Sequence, residues 1–170
     1  MAIKDTLLTQ FDAELPFTRR TLERVPMDRP EWKPHDASMT IGWLATFIAL
    51  AWSWGNRMVE QQEYEPKPGD TKPELPKTTA DLLALFDGLT SSFRASLAAT
   101  NDDALMEMWT LKMKDKPTMT EPRWLMLQNF MFNHVIHHRG QLTVYLRLNG
   151  IAVPAIYSDS ADEKGGMFVD

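Results

Sequence analysis

Three of the four histidines fall in one run, Asn133-His134-Val135-Ile136-His137-His138-Arg139-Gly140-Gln141. His134 and His138 are four residues apart. On a helix that spacing puts both imidazoles on one face, one turn from each other. Neutral imidazoles so placed can share a divalent ion such as Zn²⁺, Ni²⁺ or Fe²⁺. His134 and His138 are therefore the candidate metal ligands. A catalytic zinc ion takes three protein ligands and keeps one position for water, so the pair needs a third donor. The Glu that follows the first His in the HExxH zinc proteases is replaced here by Val135, which removes that general base. The plainer reading is a pair of helix histidines hydrogen-bonded in a polar pocket, or set near a helix end that favours positive charge.

The neighbours divide by helical position. His137 is one residue off the stripe and is expected to face another helix or to support the pair from behind. Arg139 points away from the His134–His138 face and is expected to pair with a carboxylate of another helix or subunit. Gln141 is one position from ideal register with His138 and is placed to hydrogen-bond a ligand or water. His35 lies in a loop with Pro30 and Pro34. It is either an exposed or loop-packing imidazole or an improvised third ligand. Other chemistries have less support. Ser91, Ser92, Ser96 and Ser158 have no strand–turn–helix elbow around them. There is no cysteine, hence no thiolate ligand and no disulfide scaffold.

The elements that must position these residues are helices. Leu7, Leu8, Phe11, Leu15, Thr18, Leu22 and Val25 recur at helical spacing over about residues 3–24. Pro16 should kink or divide that helix. A proline-rich connection precedes Ser38 and Thr40, either of which can cap a helix running to about residue 62. Ile41, Leu44, Ile48, Trp52 and Val59 mark one of its faces. Trp43, Phe47, Trp54 and Met58 mark another. Residues 64–77 read as a long loop. Thr78 or Thr79 caps a third helix reaching about Ala99. In the less regular stretch that follows, Trp109, Leu111 and Met113 alternate with polar residues, as in a short extended piece. The last helix is expected from Glu121 to Leu148, with Leu127, Met131, His134, His138, Gln141, Tyr145 and Leu148 on its inward stripe. Gly150 suits the left-handed position after a helix end. The tail, with Tyr157 and the acidic segment 159–163, is expected to fold back. Four long helical patterns without a run of strands predict an all-α protein, a four-helix bundle.

The chain has 170 residues, 44% of them hydrophobic, which favours one domain over residues 1–170. A net charge of −5 without a basic cluster argues against nucleic acid. The apolar run Ile41–Trp54 is too short to span a bilayer, and the N-terminus lacks a signal-peptide core. A soluble, cytoplasmic protein with no membrane partner is expected. The short basic segment from Lys112 to Lys116 reads as a solvated loop.

The run Asn133-His134-x-x-His137-His138-Arg139-Gly140-Gln141-Leu142-x-x-Tyr145-Leu146-Arg147, followed by Gly150-x-x-Val153-Pro154-x-x-Tyr157, resembles the C-terminal signature of the DinB-like (YfiT-like) superfamily. So does Trp32-Lys33-Pro34-His35-x-x-Ser38-Met39-Thr40-Ile41-Gly42-x-Leu44-Ala45. The resemblance implies a four-helix bundle of the DinB/YfiT type, usually a homodimer. It also implies a divalent metal held by three histidines, one from the second helix and two from HxxxH on the last. Some members are thiol transferases or isomerases that use bacillithiol or mycothiol. Others resemble metal-dependent hydrolases. The HxxxH pair falls on His134 and His138. The second-helix histidine falls on Phe47, in Leu44-Ala45-Thr46-Phe47, and no Asp, Glu or His occurs between Thr40 and Val59. Phenylalanine cannot bind a metal. Three readings follow. The first is a protein with an altered metal site that binds a small molecule or a partner. The second is a metal-dependent thiol S-transferase or hydrolase using His134 and His138. The third is a structural dimer in which the histidines only pack.

Overall fold

The computed structural model describes residues 2–67 and 74–165. Part of the loop expected over residues 64–77 lies outside them. The described elements are α1 (Ile3–Leu22), α2 (Ile41–Glu60), β1 (Glu63–Tyr64), α3 (Thr79–Ala99), α4 (Asp102–Met106), β2 (Met108–Met113), β3 (Lys116–Pro122), α5 (Arg123–Met126), a π-helical segment (Leu127–Phe132) and α6 (Asn133–Leu148). Among the described residues no helix is long and apolar enough to cross a membrane.

Local chemistry sets the helix limits. Thr40, rather than Ser38, caps α2 by accepting a hydrogen bond from the Trp43 backbone N–H (3.2 Å). Thr78 caps α3 in a reciprocal box with Asp81. Helix α1 runs through Pro16 undivided. Gly150, with φ of +68°, follows the end of α6 as expected.

The interior is aromatic. Phe11 of α1, Trp52 of α2, Phe93 of α3 and Phe132 of the π-helical segment are all buried. Most of their ring pairs meet edge-on, with centroids 5.0 Å apart for Phe11–Trp52 and 5.8 Å for Trp52–Phe132, while Trp52 and Phe93 are tilted. Gly55 lets α2 approach α3, since a Cβ there would stand 2.8 Å from the Phe93 ring.

The expectation of an all-α chain needs one correction. The fold is mostly helical but carries a three-stranded sheet in the order β1-β2-β3. β2 and β3 form an antiparallel hairpin, and β1 joins β2 in parallel, Tyr64 opposite Leu111. Lys114 and Asp115 sit at the tip with φ of 52° and 60°. That is the conformation of a tight hairpin turn, so the basic segment is a turn flanked by strands. Arg123 locks the sheet to the helices. Its guanidinium is buried, donates to the carbonyls of Ala104 and Gln61 and to Gln62 Oε1 (2.7 Å), and lies 3.4 Å from Glu107 Oε2.

Candidate functional site

The last long helical stretch is not one regular helix. Its six-residue π-helical segment, with i→i+5 hydrogen bonding, ends at Phe132, two residues before His134. The wider turns displace the inward stripe by one residue. The buried positions from residue 126 to 148 are Met126, Leu127, Met131, Phe132, Val135, His138, Arg139, Leu142 and Leu146, in place of the expected Leu127, Met131, His134, His138, Gln141, Tyr145 and Leu148. His134 is therefore half-buried and Gln141 exposed, and Leu148 is 59% exposed. The histidine pair stands at the edge of the buried stripe.

The two imidazoles do come together, with ring centroids 4.6 Å apart. Phe47 of α2 packs edge-on against both, its ring 5.3 Å from His134 and 4.8 Å from His138. Trp54 and Phe130 extend this wall. Trp54 lies 5.3 Å from Phe47 and stacks on Phe130 at 6.2 Å, and Phe130 lies 5.7 Å from His134. The second face of α2 therefore faces the histidines.

Gln141 orients the inner histidine. Its Oε1 is 2.7 Å from His138 Nδ1. An amide oxygen only accepts, so Nδ1–H donates and Nε2 keeps its lone pair. His137 is exposed, with its ring 5.0 Å from His138. Of the two expectations for it, it faces solvent rather than another helix but does lie beside a member of the pair. His35 is exposed in its loop, where Nδ1 accepts from the Ala37 backbone N–H (3.1 Å).

Burial pushes His134 and His138 below the ordinary imidazole value. A hydrogen bond with the Phe130 backbone opposes the shift at His134, as Gln141 does at His138, and repulsion from His137 adds to it at both. A histidine depressed on folding binds fewer protons folded than unfolded. The stability it contributes is complete above the unfolded value of about 6.5, and is lost as pH falls below that towards the folded value. Urea unfolding at about pH 7.5 and about pH 5.5 should therefore give a lower midpoint at the acid end. In the His134→Gln/His138→Gln double variant that drop should shrink. An unchanged pH dependence in the variant would mean that neither imidazole is held neutral by burial.

A cavity of about 200 Å³ shares Trp54 and Phe130 with the histidine site. Met58, Tyr64, Trp109 and Leu111 complete most of its wall, which is almost entirely hydrocarbon and ring. Trp109 is buried and its indole N–H has no acceptor. Trp109, Leu111 and Met113 are alternate residues of β2 and all line the cavity. Their alternation is the signal in the sequence that could have located it.

Behind the site, Arg139 is buried and pairs with Glu14 of α1, Nη1 to Oε2 at 2.7 Å. The pair meets the ion-pair distance without hydrogen-bond alignment at that oxygen. Arg139 also donates to Thr18 Oγ1 (3.1 Å) and Tyr157 Oη (2.8 Å), and Tyr157 Oη donates to Glu14 Oε1 (2.8 Å). Burial, then the bond to Glu14, raises the Tyr157 hydroxyl above its ordinary value, which keeps it a donor. The tail is fastened here and by ion pairs of Glu163 with Arg20 and Arg24, and of Asp162 with Arg147.

The sequence profile of the DinB family matches residues 1–165. The chain belongs to the DinB family. A DinB-like protein of Bacillus cereus has a similar fold, with a TM-score of 0.69 at 22% identity over 90% of this chain and 97% of that one. A DinB-like protein (YjoA) of Bacillus subtilis gives 0.68 at 21% identity, over 88% of this chain and 95% of that one. No curated protein matches the chain.

A three-histidine metal site can be tested against the geometry of this DinB chain. With Zn–N bonds of 2.0–2.1 Å, three imidazoles at tetrahedral angles have ring centroids about 5 Å apart. The rings of His134, His138 and Phe47 stand 4.6, 4.8 and 5.3 Å apart. The three corners are occupied, but one of them is a hydrocarbon ring with no lone pair. Among the described residues no group of three or more His, Cys, Asp or Glu could hold a metal ion. The residues present do not fit a three-ligand metal.

Proposed function

We propose that this DinB protein binds a small, largely apolar organic molecule in the cavity between α2, the sheet and the π-helical segment, and that its histidine pair no longer serves as a metal centre. The observation that carries the reading is Phe47, whose ring fills the third ligand corner and continues through Trp54 into the cavity wall. Aromatic walls with few polar groups suit a small organic ligand. An apolar cavity of about 150 Å³ is large enough for benzene, so one substituted ring is the right size. The four long helical stretches are read as a four-helix bundle with the sheet closing one side of the cavity.

The test uses phenylacetamide, a neutral one-ring probe. It should raise the melting temperature of the wild-type chain as its concentration rises, because a ligand that binds only the folded state stabilises it by mass action. Leu111→Trp fills the cavity and should abolish that increase while leaving a cooperative transition. Equal increases in both proteins, or none in the wild type, would contradict the reading. A metal-dependent thiol transferase or hydrolase remains the second reading. It has one observation in its favour, the Gln141 bond that leaves His138 Nε2 with a free lone pair.

A further inference from the structure

A cation stands beside one wall residue of the cavity. Arg57 is half-buried on α2, one turn from Trp54. Its guanidinium carbon stands 4.5 Å from the centroid of the Tyr64 ring, and Tyr64 is part of the cavity wall. Stacking on an aromatic face fixes the plane of a guanidinium and leaves its N–H edge free to bond. Among the described residues Arg57 has no carboxylate partner. Most other arginines of the described chain differ, Arg29 excepted. Arg19, Arg94, Arg123, Arg139 and Arg147, for instance, each meet a carboxylate.

The hairpin beside the cavity leans the same way. Lys114 follows the wall residue Met113, and Lys116 is paired with Met113 across the strands. Both lysines are exposed and neither has an ion-pair partner among the described residues. Of the nearby acids, Glu63 is paired with Lys112, and Glu65 accepts the Asp115 backbone N–H. Among the described residues Arg57, Lys114 and Lys116 lack an ion-pair partner, and Asp115 between the two lysines lacks one as well. The cavity wall is apolar, and Arg57 stacks on one of the wall residues.

We infer that the preferred ligand is a small organic carboxylate, with its apolar body among Trp54, Trp109 and Phe130 and its carboxylate on the stacked guanidinium of Arg57. This rests on the proposed cavity reading and adds the charge of the ligand to it. Planar guanidinium meets planar carboxylate in a two-bond fork. A partly exposed pair of this kind is screened by water and salt, so the gain is moderate.

Calorimetric titration with phenylacetate and phenylacetamide separates the two claims. In the wild type the acid should bind about five- to tenfold tighter than the amide at low salt, and less so as salt rises. Arg57→Gln should bring the acid down to the amide's affinity and leave the amide's affinity where it was. Equal binding of acid and amide by the wild type overturns the charge assignment and leaves the cavity reading intact. A preference that survives Arg57→Gln also overturns the assignment to Arg57. Binding of neither probe overturns both.

Discussion

Phe47→His should raise the affinity of the histidine site for Zn²⁺ or Ni²⁺ sharply. The substituted imidazole would enter the position where the Phe47 ring now stands, 5.3 Å from His134 and 4.8 Å from His138. Those separations match three imidazoles around a tetrahedral ion. A structural zinc site is worth roughly 10–16 kcal/mol over four ligands, or about 3 kcal/mol each. A third ligand should therefore raise affinity by about two orders of magnitude. Competition with a chromophoric chelator measures the change. His134→Ala or His138→Ala in the Phe47→His background should remove the gain, whereas His137→Ala should not, since His137 is exposed. No gain in Phe47→His would mean that the histidine pair cannot converge on an ion even with a third donor.

Loss of the Arg139 side chain should destabilise the fold by about 3–5 kcal/mol, the cost of leaving one charge of a buried pair alone. Arg139→Ala strands the Glu14 carboxylate and removes the donors to Thr18 and Tyr157 together. Arg139→Lys should also be costly, because an ammonium cannot reproduce the fork that reaches all three partners. Urea unfolding gives the magnitude. The double change Glu14→Leu/Arg139→Met should recover much of the loss, since a well-packed apolar pair has no unpaired charge. A single-variant loss below about 1 kcal/mol would place Arg139 among ordinary surface ion pairs.

Some of this arrangement is legible in the chain itself. The four-residue spacing of His134 and His138 fixes their proximity, because it depends only on local helical geometry. Arg139, one residue on, must point elsewhere, and it does reach a carboxylate of another helix. The alternation of Trp109, Leu111 and Met113 predicts an extended piece, and that piece is β2. Other features depend on contacts distant in sequence. Pairing of Tyr64 with Leu111 joins positions far apart along the chain, so the alternation in β2 marks one wall of the cavity but not the strand that completes the sheet. The π-helical segment is similarly silent: Leu127–Phe132 is ordinary helix-forming sequence, and only packing selects the wider turn. That one displaced residue explains why Gln141, Tyr145 and Leu148 are less buried than regular spacing predicts, and why His137 faces solvent.

The central claim is that Phe47 has closed the metal site of this DinB chain. Elemental analysis of the wild-type protein, purified without added metal and then incubated with Zn²⁺ or Ni²⁺ and desalted, tests it most directly. The account predicts far less than one equivalent of any divalent metal before and after incubation. A stable stoichiometric ion, lost in both His134→Ala and His138→Ala, would contradict it.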